Sequence, residues 1–206
     1  MTVARANLLK HIENMRAFGV EPVVAVNRFP GDTVDGLRKI LDFCDANDVR
    51  AASYEAYEKG PAGASELAAI VDAAIADNQR SNAFDFLYPI EAPIRDKIDT
   101  VARIVYGADG VDYDRKAETA INLIEKHGKD HFPVCMAKTQ KSLSDTPRLR
   151  GRPKGFRIRV NEIRLSAGAG FVVAICGEMM TMPGLPREPA AIRIKVDDQG
   201  NTTGLS

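Results

Sequence analysis

The pattern of apolar and polar positions divides the chain into two regions. In residues 1–80, three stretches have the 3.6-residue apolar period of amphipathic helices, at 3–18, 33–44 and 65–76. Short continuous apolar runs at 22–26 and 49–53 separate them, and such runs are typical of strands buried on both faces. The alternation of helix and strand predicts a parallel sheet with right-handed crossovers.

The second region, residues 81–206, has a mixed pattern. Helical periods cover 93–106 and 114–126, and the glycine-containing segment 106–113 predicts a turn. Four strand patterns are found, at 133–138, 156–160, 171–176 and 192–196. The less regular segment 78–93, which contains two prolines, marks the junction between the regions. The sequence therefore predicts an α/β fold.

Composition and charge exclude some classes of protein. The chain has 206 residues, of which 45% are apolar, so it can bury a sizeable core. Lys plus Arg and Asp plus Glu both number 28, without the basic excess that nucleic-acid binders usually carry. No apolar run approaches the roughly 20 residues that span a bilayer, and the polar amphipathic start is unlike a signal peptide. We expect a cytoplasmic protein without nucleic-acid or membrane partners.

The cysteines and histidines do not form a recognisable reactive or metal-binding pattern. Cys44, Cys135 and Cys176 are far apart and lie in apolar surroundings, which predicts buried, reduced thiols. No Cys/His spacing is typical of zinc, and none of the three histidines lies at catalytic spacing from a carboxylate or hydroxyl. We therefore predict no metal site and assign no catalytic residue.

Aromatic residues follow both predicted strands of the first region. Phe29 and Pro30 come shortly after the first strand, and Tyr57 comes shortly after the second. In doubly wound sheets, ligands bind beyond the carboxyl ends of the strands. Two aromatic rings at neighbouring strand ends can hold a planar heterocycle between them. The alternative is that these residues are loop anchors that cover the edge of the sheet.

Three further loops carry polar or basic groups. KTQKSLSD at 138–145 has two ammonium groups and three hydroxyls, so it could bind a phosphate or a carboxylate, or be a solvated loop. GRPKGF at 151–156 is either a ligand-contacting turn or a tight connection into the next strand. The segment 59–64 precedes a helix and could hold an anion, but the chain contains no GxxxxGK[ST] phosphate-binding loop.

Several of these segments together resemble one enzyme family. VVAVNRFPGDT at 23–33, CMAKTQKSLSDTP at 135–147 and MTMPGLP at 180–186 resemble the C-terminal part of formate–tetrahydrofolate ligases, collinearly from about Ala6 to Leu205. The resemblance implies the C-terminal part of a parallel-sheet nucleotide-binding domain, followed by a smaller α/β region. It also implies ATP-dependent ligation of formate to tetrahydrofolate, which gives 10-formyltetrahydrofolate, with Mg²⁺ accompanying ATP and formyl phosphate as the proposed intermediate.

The resemblance assigns roles to individual residues. Phe29 and Tyr57 fall on the two aromatic positions that hold the pteridine ring of the folate, and Pro30 flanks the same pocket. The family usually has tryptophan at the second position, so Tyr57 offers less stacking area and adds a hydroxyl. Pro153 and Gly155 fall near the adenine of the nucleotide.

The family's phosphate-binding loop lies in its N-terminal part, which this sequence does not match. Three explanations remain open: a fragment inactive alone, one half of a split enzyme completed in cis or in trans, or a non-catalytic folate- or nucleotide-binding module. Self-association is expected of the complete enzyme. A P-loop GTPase is disfavoured, because the aspartate that should follow Asn27-Arg28 is replaced by Phe29 or Pro30.

Overall fold

A computed structural model describes residues 3–81, 84–177, 187–199 and 201–204. The helices are α1 Val3–Ala17, α2 Val34–Asp45, α3 Ala56–Lys59, α4 Ser65–Ser81, α5 Ile94–Val101 and α6 Arg115–Lys126. The strands are β1 Val23–Asn27, β2 Arg50–Tyr54, β3 Gly110–Tyr113, β4 Val134–Ala137, β5 Arg157–Ser166, β6 Phe171–Cys176, β7 Lys195–Val196 and β8 Thr202–Thr203. Short 3₁₀ turns occur at Gly60–Ala64 and Ala190–Ile192, and a π-helical turn, Ala102–Tyr106, continues α5. The predicted α/β class is confirmed.

The first unit is built on the parallel pair β1 and β2, as predicted. Helices α1 and α2 share a small apolar cluster with the sheet, formed by Ile12, Cys44 and Val49. The prediction that β1 is buried on both faces is wrong, because Ala25 and Asn27 are exposed. The described residues supply only two strands to this sheet.

Predicted helix boundaries are largely confirmed. Thr33 caps α2, because its hydroxyl accepts a hydrogen bond from the Gly36 amide at 3.1 Å. Gly19 follows α1 with a φ of 73°, a left-handed conformation that glycine adopts without strain. Asp114 precedes α6 as predicted, but its carboxylate accepts from the Arg159 guanidinium at 2.7 Å instead of capping the helix.

The second unit is a four-stranded mixed sheet in the order β3-β5-β6-β4. β5 and β6 are antiparallel, while β3 and β4 run parallel to their neighbours. Helices α5 and α6 pack against this sheet and form the larger core of the described residues. Its fully buried isoleucine and valine members are Ile94, Ile98, Ile121, Ile158, Val160 and Val172.

Some sequence predictions for this unit were wrong. The segment 106–113, predicted as a turn from its glycines, contains the four-residue strand β3. β5 extends six residues beyond Val160. The predicted strand at 192–196 is reduced to β7, which pairs with β8 in an exposed two-stranded ribbon without a buried face. Cys135 is exposed rather than buried, whereas Cys44 and Cys176 are buried as predicted. The alternation of β4 places the Cys135 side chain away from the covered face.

Polar side chains of α1 join the two units. The Lys10 ammonium donates to the Ile104 carbonyl at 2.5 Å, and the Asn14 side-chain amide donates to the Val105 carbonyl at 2.9 Å. Both carbonyls lie at the C-terminal end of the helix formed by α5 and its π-helical turn, where carbonyls lack partners within the helix and carry partial negative charge. We call this set of contacts the α1 seam.

None of the described helices is both long and apolar enough to cross a membrane.

Truncating the larger core should destabilise the protein strongly. Ile121 of α6 is fully buried, so Ile121→Ala should lower the free energy of unfolding by about 2–5 kcal/mol. Leu123 on the same helix is 55% exposed, so Leu123→Ala should change it by less than about 0.5 kcal/mol. Urea unfolding of the three proteins measures both values. Equal effects of the two substitutions would contradict the assigned faces of α6.

Alkaline pH should destabilise the protein through buried Cys176 and partly buried Tyr106. Burial raises the pKa of Cys176 from 9.0 to about 12 and that of Tyr106 from 10.0 to about 12. Between these values the unfolded chain loses protons that the folded protein keeps, so stability falls as pH rises from about 9 to about 12. Urea midpoints measured across this range should fall, and Tyr106→Phe should flatten the slope above pH 10. A slope unchanged by the substitution would contradict this role of Tyr106.

Candidate functional site

The carboxyl ends of β1 and β2 lie side by side, as the parallel register requires. Asn27 pairs with Tyr54, and the Arg28 amide donates to the Tyr54 carbonyl at 3.0 Å. The segments that follow the two strands therefore start from the same edge of the sheet. We call these two segments, residues 28–32 and 55–63, the strand-end loops.

The first strand-end loop holds Phe29 in a closed turn. The Phe29 amide donates to the Asp32 carboxylate at 2.8 Å, and the Asp32 amide returns a hydrogen bond to the Phe29 carbonyl at 3.0 Å. Gly31, with a φ of 98°, permits the reversal. The Phe29 side chain is 62% exposed, and Pro30 is also exposed. The fixed backbone therefore presents an apolar ring to solvent.

The second strand-end loop contains a short helix that the sequence did not predict. Tyr57 lies on α3 and is 93% exposed. The Glu55 carboxylate, which precedes α3, forms ion pairs with the Lys59 ammonium and with the Arg28 guanidinium, the latter at 2.5 Å. Hydrogen bonds from Lys59 and Arg28 hold the pKa of Glu55 below its usual value. Glu55 thus ties the two strand-end loops together, and no periodic or motif signal in the sequence identified it.

The backbone of the second loop is tightly closed. The Glu55 amide donates to the Gly63 carbonyl at 3.0 Å. A side chain at Gly63 would place its Cβ 2.5 Å from the Glu55 carbonyl, closer than van der Waals contact allows. The glycine therefore permits the turn that carries α3 and Tyr57 to the strand end.

The two strand-end loops are the candidate site for a flat ligand. Two large, exposed aromatic side chains stand on hydrogen-bonded turns at adjacent strand ends. A cleft of about 350 Å³ opens beside the first loop, between the end of β1 and the start of α2. Stacking on such rings accepts planar heterocycles. The assignment of Phe29, Pro30 and Tyr57 to a pterin site remains a prediction.

A second cleft, of about 660 Å³, lies between α1 and the loop that follows β4. Two sequence-predicted segments, the KTQKSLSD loop and the GRPKGF turn, meet here, together with Tyr106 and His11. The Asn7 side-chain amide donates to the Gly151 carbonyl at 3.0 Å. The Arg152 guanidinium makes a bidentate pair with Glu13 at 2.8 and 2.6 Å. Helix α1 therefore forms one wall of this cleft, which the sequence did not indicate.

The residues predicted to lie near adenine belong to the same turn. Pro153 is half-buried, and Gly155 is exposed with a φ of 68°. Their role in nucleotide binding remains a prediction. The MTMPGLP segment at 180–186 lies outside the described residues. Within the described ranges, no group of three or more His, Cys, Asp and Glu side chains is placed to hold a metal ion.

Comparisons with known proteins agree with the resemblance seen in the sequence. The family profile described as formate–tetrahydrofolate ligase matches residues 2–206. The chain is 47% identical over 195 residues to a formate–tetrahydrofolate ligase of Caldicellulosiruptor saccharolyticus, which covers 95% of this chain. It is 46% identical over 199 residues to that of Bacillus pumilus, and 45% identical over 205 residues to formate–tetrahydrofolate ligase 3 of Rubrobacter xylanophilus, each covering 97% of this chain. The chain spans 35% to 36% of the length of these relatives.

Filling the space at Gly63 should disturb the second strand-end loop. Gly63→Ala forces the Glu55 and Gly63 backbones apart, so it should lower the free energy of unfolding by about 1–3 kcal/mol. Gly168→Ala is the matched control, because no atom lies within 4 Å of the added Cβ. Urea unfolding compares them. If the two variants were equally stable, the close approach at Gly63 would be wrong.

Proposed function

The chain belongs to the formate–tetrahydrofolate ligase family, and we propose that it provides the C-terminal part of an enzyme that joins formate to tetrahydrofolate with ATP, giving 10-formyltetrahydrofolate. Its own contribution is the surface that binds the pteridine ring. The observation that carries this proposal is the pair of exposed rings, Phe29 and Tyr57, held at neighbouring strand ends.

The proposed action of the strand-end loops is to bind and orient the folate. A pteridine ring stacked on Phe29 and Tyr57 would have its orientation restricted by the two side chains, and its faces would be shielded from water. Glu55 is a positioning residue, because it holds both loops through Arg28 and Lys59. This arrangement would present the folate nitrogen to the formyl donor in a constant geometry.

The triphosphate of ATP and its Mg²⁺ are assigned to the part of the enzyme that this chain does not span. The sequence contains no GxxxxGK[ST] loop, and the described residues contain no carboxylate cluster suited to a cation. When bound, ATP would activate formate by phosphorylation. Pro153 and Gly155 are proposed to lie beside the adenine, on the turn that α1 holds through Arg152.

Exposed apolar side chains on α4 support the proposal that a further polypeptide segment packs against this chain. Val71 and Ile75, one turn apart on α4, are 38% and 49% exposed. The sheet that α4 covers has only two parallel strands among the described residues, and parallel sheets are ordinarily larger and covered on both faces. We assign the covering segment to the remaining length of the relatives, whether joined to this chain or supplied separately.

A folate-binding module without catalysis is the second candidate. The contacts that fix Phe29 and Tyr57, through Asp32, Glu55 and Gly63, all lie within this chain. The platform could therefore form and bind folate without the rest of the enzyme.

Removing either ring should weaken folate binding. Phe29→Ala and Tyr57→Ala should each cost about 1–3 kcal/mol of binding free energy, by analogy with bases stacked on aromatic side chains. Phe86→Ala is the matched control, since Phe86 is 57% exposed but lies away from the strand ends. Calorimetric titration with tetrahydrofolate measures all four proteins. Unchanged affinity in Phe29→Ala would remove that residue from the site.

Restoring the family's usual residue should strengthen binding. Tyr57→Trp enlarges the stacking surface and removes the hydroxyl, so tetrahydrofolate should bind more tightly than to the original chain. Tyr57→Phe separates the two effects, because it removes only the hydroxyl. Weaker binding by Tyr57→Trp than by the original chain would mean that the ring at this position does not stack on the ligand.

A further inference from the structure

The Asp32 carboxylate of the first strand-end loop is held in place by its own turn. Its Oδ2 accepts from the Phe29 amide at 2.8 Å, and the Asp32 amide donates to the Phe29 carbonyl at 3.0 Å. Pro30 and Gly31 occupy the two central positions, where a type II turn favours proline and then glycine. The first and fourth Cα atoms of a turn lie within about 7 Å of each other. The carboxylate is therefore a close neighbour of the Phe29 side chain.

Most of the accepting capacity of this carboxylate is unused. An ionised carboxylate offers about four lone-pair sites, and a single hydrogen bond to Oδ2 is found among the described residues. Asp32 is exposed, and it also lines the cleft of about 350 Å³ between the end of β1 and the start of α2. The turn thus fixes a hydrogen-bond acceptor at the border of this cleft.

Arg28 supplies donors to the same cleft. Its Nη1 donates to the Glu55 carboxylate at 2.5 Å, which uses one of the five N–H donors of the guanidinium. Because Arg28 forms its ion pair with Glu55, the Asp32 carboxylate is left for a ligand. The border of the cleft therefore presents acceptors from Asp32 and donors from Arg28.

We infer that Asp32 selects the folate by accepting hydrogen bonds from the pyrimidine edge of its pteridine ring. That edge carries two neighbouring donors, the ring N3–H and the 2-amino group, which a carboxylate accepts through two oxygens, and a C4 carbonyl that a guanidinium N–H can satisfy. Hydrogen bonds to an ionised group are about twice as strong as neutral ones. The inference rests on the proposed function, and it adds to ring stacking a contact that distinguishes a 2-amino heterocycle from other flat ligands.

Glu58 is the other exposed carboxylate beside the rings, because it follows Tyr57 on α3. Its side chain has more rotatable bonds than that of Asp32, and no hydrogen bond to its carboxylate is found in the described part of the chain. Ordering a long free side chain costs conformational entropy, whereas Asp32 is already fixed by the Phe29 amide. This difference favours Asp32, and it makes Glu58 the matched control.

The ligand side of the inference is tested on the unmodified chain. Calorimetric titration compares tetrahydrofolate with its 2-desamino-2-methyl analogue, in which a methyl group replaces the amino group. The analogue should bind about 10- to 100-fold more weakly, the range expected for loss of a hydrogen bond to a charged group. Equal affinities for the two ligands would overturn the inference. Binding of neither ligand would overturn the proposed function and this inference together.

Asp32→Asn tests the residue. The asparagine side-chain carbonyl can still accept from the Phe29 amide, while its NH₂ group replaces the second oxygen with a donor. Tetrahydrofolate should bind this variant about 10- to 100-fold more weakly. The loss should be smaller for the analogue, which has one donor fewer to offer. An equal loss for both ligands would show that Asp32 does not contact the amino group, and would overturn the inference.

Glu58→Gln removes an equal charge beside Tyr57 and should change the affinities for the two ligands by the same factor. If Glu58→Gln, and not Asp32→Asn, changed the ratio of the two affinities, the recognition would belong to Glu58 and the inference would be wrong. Urea unfolding of Asp32→Asn shows whether the variant folds. If it does not fold, the comparison of the two ligands on the unmodified chain still decides the outcome.

Discussion

The position of α1 on the end of the α5 helix is the constraint on which the two halves of this structure depend. Lys10 and Asn14 donate to carbonyls that a helix cannot satisfy internally. Loss of these donors would leave two carbonyls at the boundary of the two units without protein partners. Because the same helix buries Ile12 with Cys44 and Val49, it is fixed to both units at once, by apolar contact on one side and by hydrogen bonds on the other.

This constraint also shapes both candidate ligand sites. Helix α1 forms one wall of the second cleft, and its Val3 side chain lies close to Gly151. The Glu13 carboxylate of the same helix accepts hydrogen bonds from Arg152 of the adjoining turn. The strand-end loops leave the sheet whose apolar cluster includes Ile12 of α1. The proposed pterin site and the second cleft are therefore both linked to this helix.

The sequence predicted the elements with strong periodicity and missed those defined by short-range geometry. The amphipathic pattern of α2, its Thr33 cap and the apolar run of β6 were all confirmed. The strand β3 and the helix α3 were missed, because four residues are too few for a period to be distinguished from a turn. The α1 seam was missed for another reason: Lys10 and Asn14 lie outside the apolar stripe of α1, and polar side chains that bind distant carbonyls carry no sequence signature. The placement of Phe29 and Tyr57 after neighbouring strands was predicted from the sequence, but the role of Glu55 depends on its ion pair with Arg28, which is distant in sequence.

We propose that this chain supplies the folate-binding part of a ligase whose phosphate-binding loop lies in the remaining length of its relatives. The most direct measurement mixes the chain with the part of the Bacillus pumilus enzyme that precedes the matched region, and assays 10-formyltetrahydrofolate formation from formate, ATP and tetrahydrofolate. Neither part alone should form product, and the mixture should form it. Product from this chain alone, or an inactive mixture in which the two parts demonstrably associate, would contradict it.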